Sequence, residues 1–361
     1  MRLLIILNEN PPGSHIDVHN ALSKLKQEGA LQSYVIFPWL AYFERGIHSQ
    51  DIAASIAKTA REFEPTAILW AHTAGLRVST DTINNLRQLP SRPSMGYFEG
   101  DLYESPYKPL PTEVLNLAVA CDVIFCPGFG VMTDLLKRKG CLDIRYVPSP
   151  TDEWRFGRVR DGSEQILFDV VMVGNNVFSR LPWRTMPGSR ERRELAKFFQ
   201  ERLGSRFAVF GMGWKAPYAA GPIPFDQQID LYHRSRIAFG VNNLHAKYSF
   251  SNRLPIAMSC GVPMVYGYET GFDEVFEPNC GAFFFKDKWD AWSIIKNLLA
   301  KDQTELDEIG EIANRFALSR FTTTHIFRYM CETLAFYAPN NRDRRNHGIP
   351  TNPWIRSTCV Y

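Results

Sequence analysis

Short apolar runs alternate with amphipathic stretches from the first residues of the chain onward. Leu3–Leu7 is a continuous apolar run, followed by a Pro/Gly loop (Pro11, Pro12, Gly13) and a helical pattern over Ile16–Glu28. Tyr34–Pro38, Ala67–Trp70, Ser94–Phe98, Asp122–Cys126 and Ile144–Val147 are further strand-like runs. Helical patterns at about 51–63, 78–88, 112–120 and 129–139 separate several of them. Short apolar runs that alternate with helices predict a parallel sheet covered on both faces. Pro148–Ser163 is polar, contains Pro and Gly, and reads as a linker. The alternation then restarts. Asp169–Val173, Phe207–Phe210, Ile237–Val241 and Pro263–Tyr266 read as strands, with helices at Ser189–Arg202, Phe225–Arg234 and 252–260. Helical patterns at about 287–300, 303–318 and 323–337 follow. The tail Ala338–Tyr361 lacks periodicity and reads as an extended surface arm or a disordered segment. The pattern predicts two doubly wound α/β domains, over 1–155 and 165–321.

Composition narrows the class. A length of 361 residues suits two cores rather than one. A net charge of +3 is too small to argue by itself for nucleic acid. The seven cysteines are scattered, form no CxxC pair and show no metal spacing, which points to reduced thiols and a cytoplasmic location. Met1–Asn10 has no cleavage site after its apolar run and reads as a first buried strand. No run approaches the length of a membrane span, so no membrane partner is expected.

Candidate chemistry concentrates in the second half. In Phe250–Val265, a polar turn (Ser251, Asn252, Arg253) opens a short apolar helix, and Gly261 then leads into a buried strand. A helix start presents free N–H groups, and an Arg there adds a fork that grips phosphate. Gly174 ends a strand and permits close backbone approach, with Asn175, Asn176 and Ser179 as donors beside it. Arg180, Arg184, Arg190 and Arg192 lie around the start of a charged helix. Surface ion pairs with Glu191 and Glu194 compete with ligand binding for them. The position of Arg190 and Arg253 at helix starts favours a ligand.

Six segments, FDVVMVGNN, GSRERRELAKFF, FAVFGMGW, GPIPFDQQIDLYHRSRIAFGVN, SNRLPIAMSCGVPMV and FDEVFEPN, follow one another in a recognisable order. Over roughly residues 168–335 the chain resembles the nucleotide-sugar half of GT-B glycosyltransferases of the CgeB-like, glycosyl transferases group 1 kind. It is also similar to phage DNA β-glucosyltransferases. The resemblance implies an α/β GT-B fold, two Rossmann-like domains facing a cleft, with 322–361 packing back on the N-terminal, acceptor-binding domain. It implies an NDP-sugar donor, UDP-sugar favoured, bound by the C-terminal domain. Arg190 and Arg253 match phosphate-binding arginines. The loops Gly211–Trp214, with Gly211 and Gly213, and Gly221–Pro224, with the backbone of Ile223, would flank the base.

On the acceptor side, Asp101 matches the catalytic Asp of the phage enzymes and is the expected general base, with Glu99 as its neighbour on the same strand face. His15 occupies a loop where other inverting GT-B enzymes carry a His base, near Asn8, Glu9, Asn10 and Ser14, and His72 is a further candidate. Relatives often place two Glu eight residues apart where this chain has Tyr248 and Ile256, so the ribose must be held otherwise, by backbone or by Glu269. No DxD motif is placed for a metal; the expectation is inverting transfer to a hydroxyl with no metal and no obligatory cofactor. The acceptor stays open among glycan, small molecule, protein and DNA. A DNA acceptor would use Arg342, Arg344, Arg345 and the Arg-rich helix at 190–206. A sugar-nucleotide epimerase and a non-catalytic binder are the alternatives.

Overall fold

β1 (Arg2–Leu7) is buried from Leu3 onward, and β3 (Ala67–Ala71) and β4 (Ser94–Phe98) are buried throughout, as expected of strands covered on both faces. With β2 (Ser33–Pro38), β5 (Val123–Cys126) and β6 (Ile144–Tyr146) they form an all-parallel sheet of order β2-β1-β3-β4-β5-β6. The register sets Leu7 opposite Ala71 and Ala71 opposite Phe98, so the residues that follow these three strands emerge in a row. The computed structural model describes residues 1–179, 181–338 and 351–356. Contacts divide the chain into one unit of Met1–Tyr103, Pro109–Val147 and Thr323–Pro353, and a second of Glu104–Lys108, Pro148–Thr322 and the residues from Trp354 onward.

The helix Thr323–Tyr337 belongs to the first unit, where it packs on the helix Ile16–Gln27 and on β4. Ser94 donates to the Leu334 carbonyl at 2.9 Å, and the Thr323 hydroxyl donates to Asp17 at 3.1 Å. The core on one face of the sheet centres on Trp70, Tyr97, Ile68 and Ile124.

The second unit repeats the architecture with a different strand order. β7 (Phe168–Val173), β8 (Phe207–Phe210), β9 (Ala219–Gly221), β10 (Ser235–Gly240), β11 (Met264–Gly267) and β12 (Ala282–Phe285) run β12-β11-β10-β7-β8-β9, all parallel. Strand order reverses between β7 and β10, and in open α/β sheets the crevice past such a reversal is where ligands bind. The long helix Pro187–Leu203 starts with Pro at its first turn and ends at Gly204, both favoured there.

The segment expected as a linker is not one. Within Pro148–Ser163, Thr151 and Phe156 are fully buried, Asp152 caps the short helix Glu153–Phe156, and Arg160 pairs with Asp307 at 2.7 Å. β9 and β12 complete the second sheet at its two edges beyond the strands expected there. Among the described residues, no helix is long and apolar enough to cross a membrane.

Candidate functional site

In the second unit the buried stripe of the helix Pro187–Leu203 includes Gly188, Ser189, Arg192, Leu195, Ala196 and Phe199. Arg192 is therefore turned inward, only 2% exposed, and its guanidinium crosses the reversal point of the sheet. One nitrogen donates to the Asn175 carbonyl after β7 (2.6 Å), another to the Val241 carbonyl after β10 (2.9 Å). It lies flat on Gly174, where an added Cβ would meet its Cζ and Nε at 3.3 Å. Burial depresses its pKa to about 10, and the charge of Arg253 pushes in the same direction. The charge of Arg253 thus reaches the buried guanidinium, whose hydrogen-bond partners here are neutral carbonyls.

Arg253 is half-buried at the start of the helix Arg253–Ser259. That helix has seven residues, so its dipole is weak. Ser251 is spent on structure: its N–H donates to the Tyr266 hydroxyl (3.1 Å), which in turn donates to Asn242 (2.7 Å). Asn252 is exposed beside it. Arg190, two positions before Arg192 and thus on the other side of the helix, is exposed and lines a cavity of about 380 Å³ with Phe178, Ser179, Thr185, Arg193 and Glu194. Arg180 lies outside the described residues.

The loops after β7 and β8 are laced together. Asn175 accepts from the Met212 N–H (3.0 Å), Asn176 donates to the Gly213 carbonyl (3.0 Å), and the Trp214 indole donates to the Gly174 carbonyl (2.7 Å). Gly211 and Gly213 have positive φ, and a Cβ on either would sit 2.3–2.4 Å from a carbonyl oxygen of the facing loop. These glycines and asparagines tie the loops after β7 and β8 to one another. Ile223 is half-buried in the loop after β9. A neighbouring cavity of about 610 Å³ is lined by Asn176, Phe178, Arg193, Trp214, Lys215 and Tyr218.

Tyr248 and Ile256, 5% and 1% exposed, are core residues; Tyr248 covers Gly271 and donates to Glu274 at 2.7 Å. Glu269, after β11, is buried and accepts from Asn242 (3.0 Å) and His245 (2.8 Å). That bond raises the His245 pKa, and burial raises that of nearby Glu191.

In the first unit, carboxylates and imidazoles collect where β1, β3 and β4 end. Glu99 is 3% exposed and accepts from His72 Nδ1 (3.0 Å), the Tyr97 hydroxyl (3.1 Å), the Tyr103 hydroxyl (3.5 Å) and the Asp101 N–H (3.2 Å). Burial, then the Glu99 charge, pushes both tyrosine pKa values up, so they stay neutral donors. Asp101 is exposed on the loop beyond. His15 precedes the helix Ile16–Gln27, with Nε2 3.4 Å from the Asn8 carbonyl, and its N–H donates to buried Glu9 (3.0 Å). Burial pushes the Glu9 carboxyl up, but the N–H groups of His15 and Gly13 and the His19 imidazole outweigh it and hold it low. Among the described residues no three His, Cys, Asp or Glu side chains gather as a metal site.

Residues 190–332 match the glycosyl transferase-like family model. No curated protein matches the chain in sequence. Among solved structures, sucrose-phosphate synthase from Thermosynechococcus elongatus superposes with a TM-score of 0.57 at 11% identity, over 91% of this chain and 97% of that one. HepE from Anabaena in complex with UDP-glucose gives 0.56 at 15% identity, over 93% and 99%. The E. coli trehalose-6-phosphate protein bound with UDP-2-fluoro glucose gives 0.57 at 8% identity, over 91% and 98%. Residues 190–332 thus form a glycosyl transferase-like domain, and the chain has the two-sheet GT-B fold of these structures.

The matched segment begins at Arg190 and takes in Arg192 and Arg253, the two arginines of the crevice. Arg192 was legible in the sequence as more than a surface charge. It precedes Leu195, Ala196 and Phe199 by three, four and seven positions, the spacing of the apolar stripe. Arg342, Arg344 and Arg345, the DNA-binding candidates of the tail, lie outside the described residues.

Proposed function

We propose that this chain is a glycosyltransferase that binds the diphosphate of a UDP-sugar with Arg192 and Arg253 and transfers the sugar to a hydroxyl of an acceptor held by the first unit. The observation that carries the reading is the buried Arg192 guanidinium, tied to carbonyls on both sides of the β7/β10 reversal point with Arg253 beside it. Charge placed there offsets the charge that develops on the leaving diphosphate when the anomeric C–O bond breaks. Uridine is favoured because HepE and the E. coli protein, two structural neighbours, carry UDP-glucose and UDP-2-fluoro glucose. The ribose falls to the loops after β10 and β11, where Glu269 stands, since position 256 is core.

Inversion is our reading of the stereochemistry. Trehalose-6-phosphate synthase, another neighbour, is described as transferring with retention. Here Tyr248 and Ile256 are core residues, while the first unit holds carboxylates and imidazoles suited to taking an acceptor proton. Product made from UDP-α-glucose should be the β-anomer by proton NMR; an α-linked product overturns inversion.

Calorimetry with UDP, GDP, dTDP and CDP tests the donor site directly. UDP should bind the wild type. Arg253→Ala should bind it about 10–100-fold more weakly, the value of a charge-assisted contact of roughly 1.5–3 kcal/mol. No UDP heat in the wild type, or wild-type affinity in Arg253→Ala, sinks the assignment.

A further inference from the structure

We propose that the second unit carries a binding site for an acidic glycan, separate from the crevice of Arg192 and Arg253. Trp214 and Tyr218 would hold a sugar ring, the Asn176 side-chain oxygen one of its hydroxyls, and Arg193 and Lys215 its carboxylate. The site is the cavity of about 610 Å³ lined by these residues, of the size that small-ligand sites have. It lies wholly within the second unit. The helix Pro187–Leu203 turns Arg192 inward and the next residue, Arg193, out to solvent, so the two arginines serve different surfaces. The inference goes beyond the sugar-nucleotide reading and does not depend on it.

The first observation is an atom without a partner. Asn176 is fastened twice: its N–H donates to the Met212 carbonyl (2.8 Å) and its Nδ2 to the Gly213 carbonyl (3.0 Å). A carbonyl only accepts, so Nδ2 must face it and Oδ1 is the atom left over. Oδ1 is buried and has no hydrogen-bond partner among the described residues. A buried acceptor left so costs about 1–3 kcal/mol, which a ligand O–H or N–H would relieve. The facing loop holds the amide in place: a Cβ on Gly213 would lie 2.4 Å from the Asn176 carbonyl oxygen.

The second is the shape of the aromatic wall. The half-buried rings of Trp214 and Tyr218 meet at 67°, with centroids 6.2 Å apart. The Trp214 indole N–H is spent on the Gly174 carbonyl (2.7 Å), which fixes that ring. Two rings at so steep an angle do not sandwich a flat base. They suit a puckered pyranose, whose C–H groups rest against electron-rich ring faces. Phe178, also in the wall, already has a face covered by the Arg193 guanidinium, 3.5 Å from its centroid.

The third is charge. The lining includes two exposed cations, Arg193 and Lys215, and no acid. Burial pushes the Tyr218 pKa up and the Arg193 charge pulls against it, so cation and phenol share the cavity. A neutral acceptor in the wall and flexible cations at the rim call for a ligand with hydroxyls inward and negative charge outward. A hexuronic acid residue carries both, and its carboxylate fits the guanidinium fork.

Calorimetry on the full chain tests the site with four probes: a hexuronic acid tetrasaccharide, a neutral glucose tetrasaccharide, tetraglutamate and UMP. The acidic tetrasaccharide should bind the wild type about tenfold or more tightly than either the neutral one or tetraglutamate. Its affinity should fall severalfold between about 50 and about 300 mM salt. The double variant Arg193→Glu, Lys215→Glu should lose about tenfold or more of it, with Tm near that of the wild type. Tyr218→Leu keeps apolar bulk but no ring face, and should weaken the tetrasaccharide severalfold at similar Tm. No binding of the acidic tetrasaccharide, or equal binding of the neutral one, overturns the proposal. Equal binding of tetraglutamate reduces the cavity to polyanion attraction and overturns it too. Displacement of the tetrasaccharide by UMP would make the cavity a nucleotide site. UDP affinity should stay within about threefold in the double variant; its loss would assign Arg193 and Lys215 to the crevice instead. Failure of the wild type to bind UDP overturns the donor reading alone, since the tetrasaccharide and Tm are read without it.

Discussion

Gly174 and Arg192 are fitted to one another, and the fit makes a narrow prediction. A Cβ at 174 would meet the guanidinium at 3.3 Å, tight enough that the arginine must give by a few tenths of an ångström. It is fastened to a carbonyl at each end, so the shift stretches bonds that hold the crevice. Gly174→Ala should weaken UDP binding several-fold by calorimetry at a stability cost near 1 kcal/mol. Gly211→Ala places its Cβ 2.3 Å from the Gly174 carbonyl oxygen at φ 149° and should cost more, about 1–3 kcal/mol by denaturant titration. His245 supplies a pH test. Its hydrogen bond to Glu269 raises its folded-state pKa above the ordinary 6.5. The stability it adds is thus complete below about pH 6.5 and is lost as pH rises through the raised value. The side chain is 49% exposed, so the gain is below about 1 kcal/mol after solvent screening. Tm of the wild type minus that of His245→Gln should be largest near pH 6 and close on the alkaline side; a gap that widens with pH contradicts this. At this scale the sequence showed which residue types were present but not their assignments. Gly174 reads equally as a door for ligand or for a side chain. Only the helix register tells Arg192 from Arg190.

Between elements, the pairing of β4 with the helix Thr323–Tyr337 is the most exacting contact in the first unit. Gly96 in mid-strand would, with a Cβ, meet Leu334 at 3.0 Å and Phe125 at 3.2 Å, so the strand gives up a side chain to let the helix approach. Leu334 is fully buried. Leu334→Ala should therefore destabilise by about 2–5 kcal/mol in denaturant unfolding, and Gly96→Val should overpack the same contact and lose stability as well. Loss below about 1 kcal/mol in both would mean that the helix is peripheral. The elements themselves were largely legible, because β1, β3, β4 and β7 are apolar runs of the length a doubly buried strand requires. β9 was not, since Ala219–Gly221 is three small residues with no apolar signature. The supposed linker misled for the opposite reason. Its polar residues are engaged in capping and ion pairing, Asp152 on the helix Glu153–Phe156 and Arg160 with Asp307, and polarity there does not mean solvent.

For the whole molecule, the alternation of strands and helices disclosed two α/β sheets, but not their strand orders. Order is decided by which crossovers return on which side, and apolar runs of similar composition do not record it. Yet order locates the crevice: the reversal between β7 and β10 makes the two carbonyls that hold Arg192 neighbours, although Asn175 and Val241 are 66 positions apart in the chain (241 − 175). A ligand at that reversal should tie together loops remote in sequence. If UDP is that ligand, as proposed, it should raise stability by about 2.7 kcal/mol at a hundredfold excess over Kd. Amide exchange should show where: added protection at 174–176, 211–214 and 241–253, the loops that β7, β8 and β10 deliver to the crevice, with β1, β3 and β4 little changed by UDP alone. Protection centred on the first unit instead would mean that UDP is read by a different surface, and that the two arginines answer to another anion.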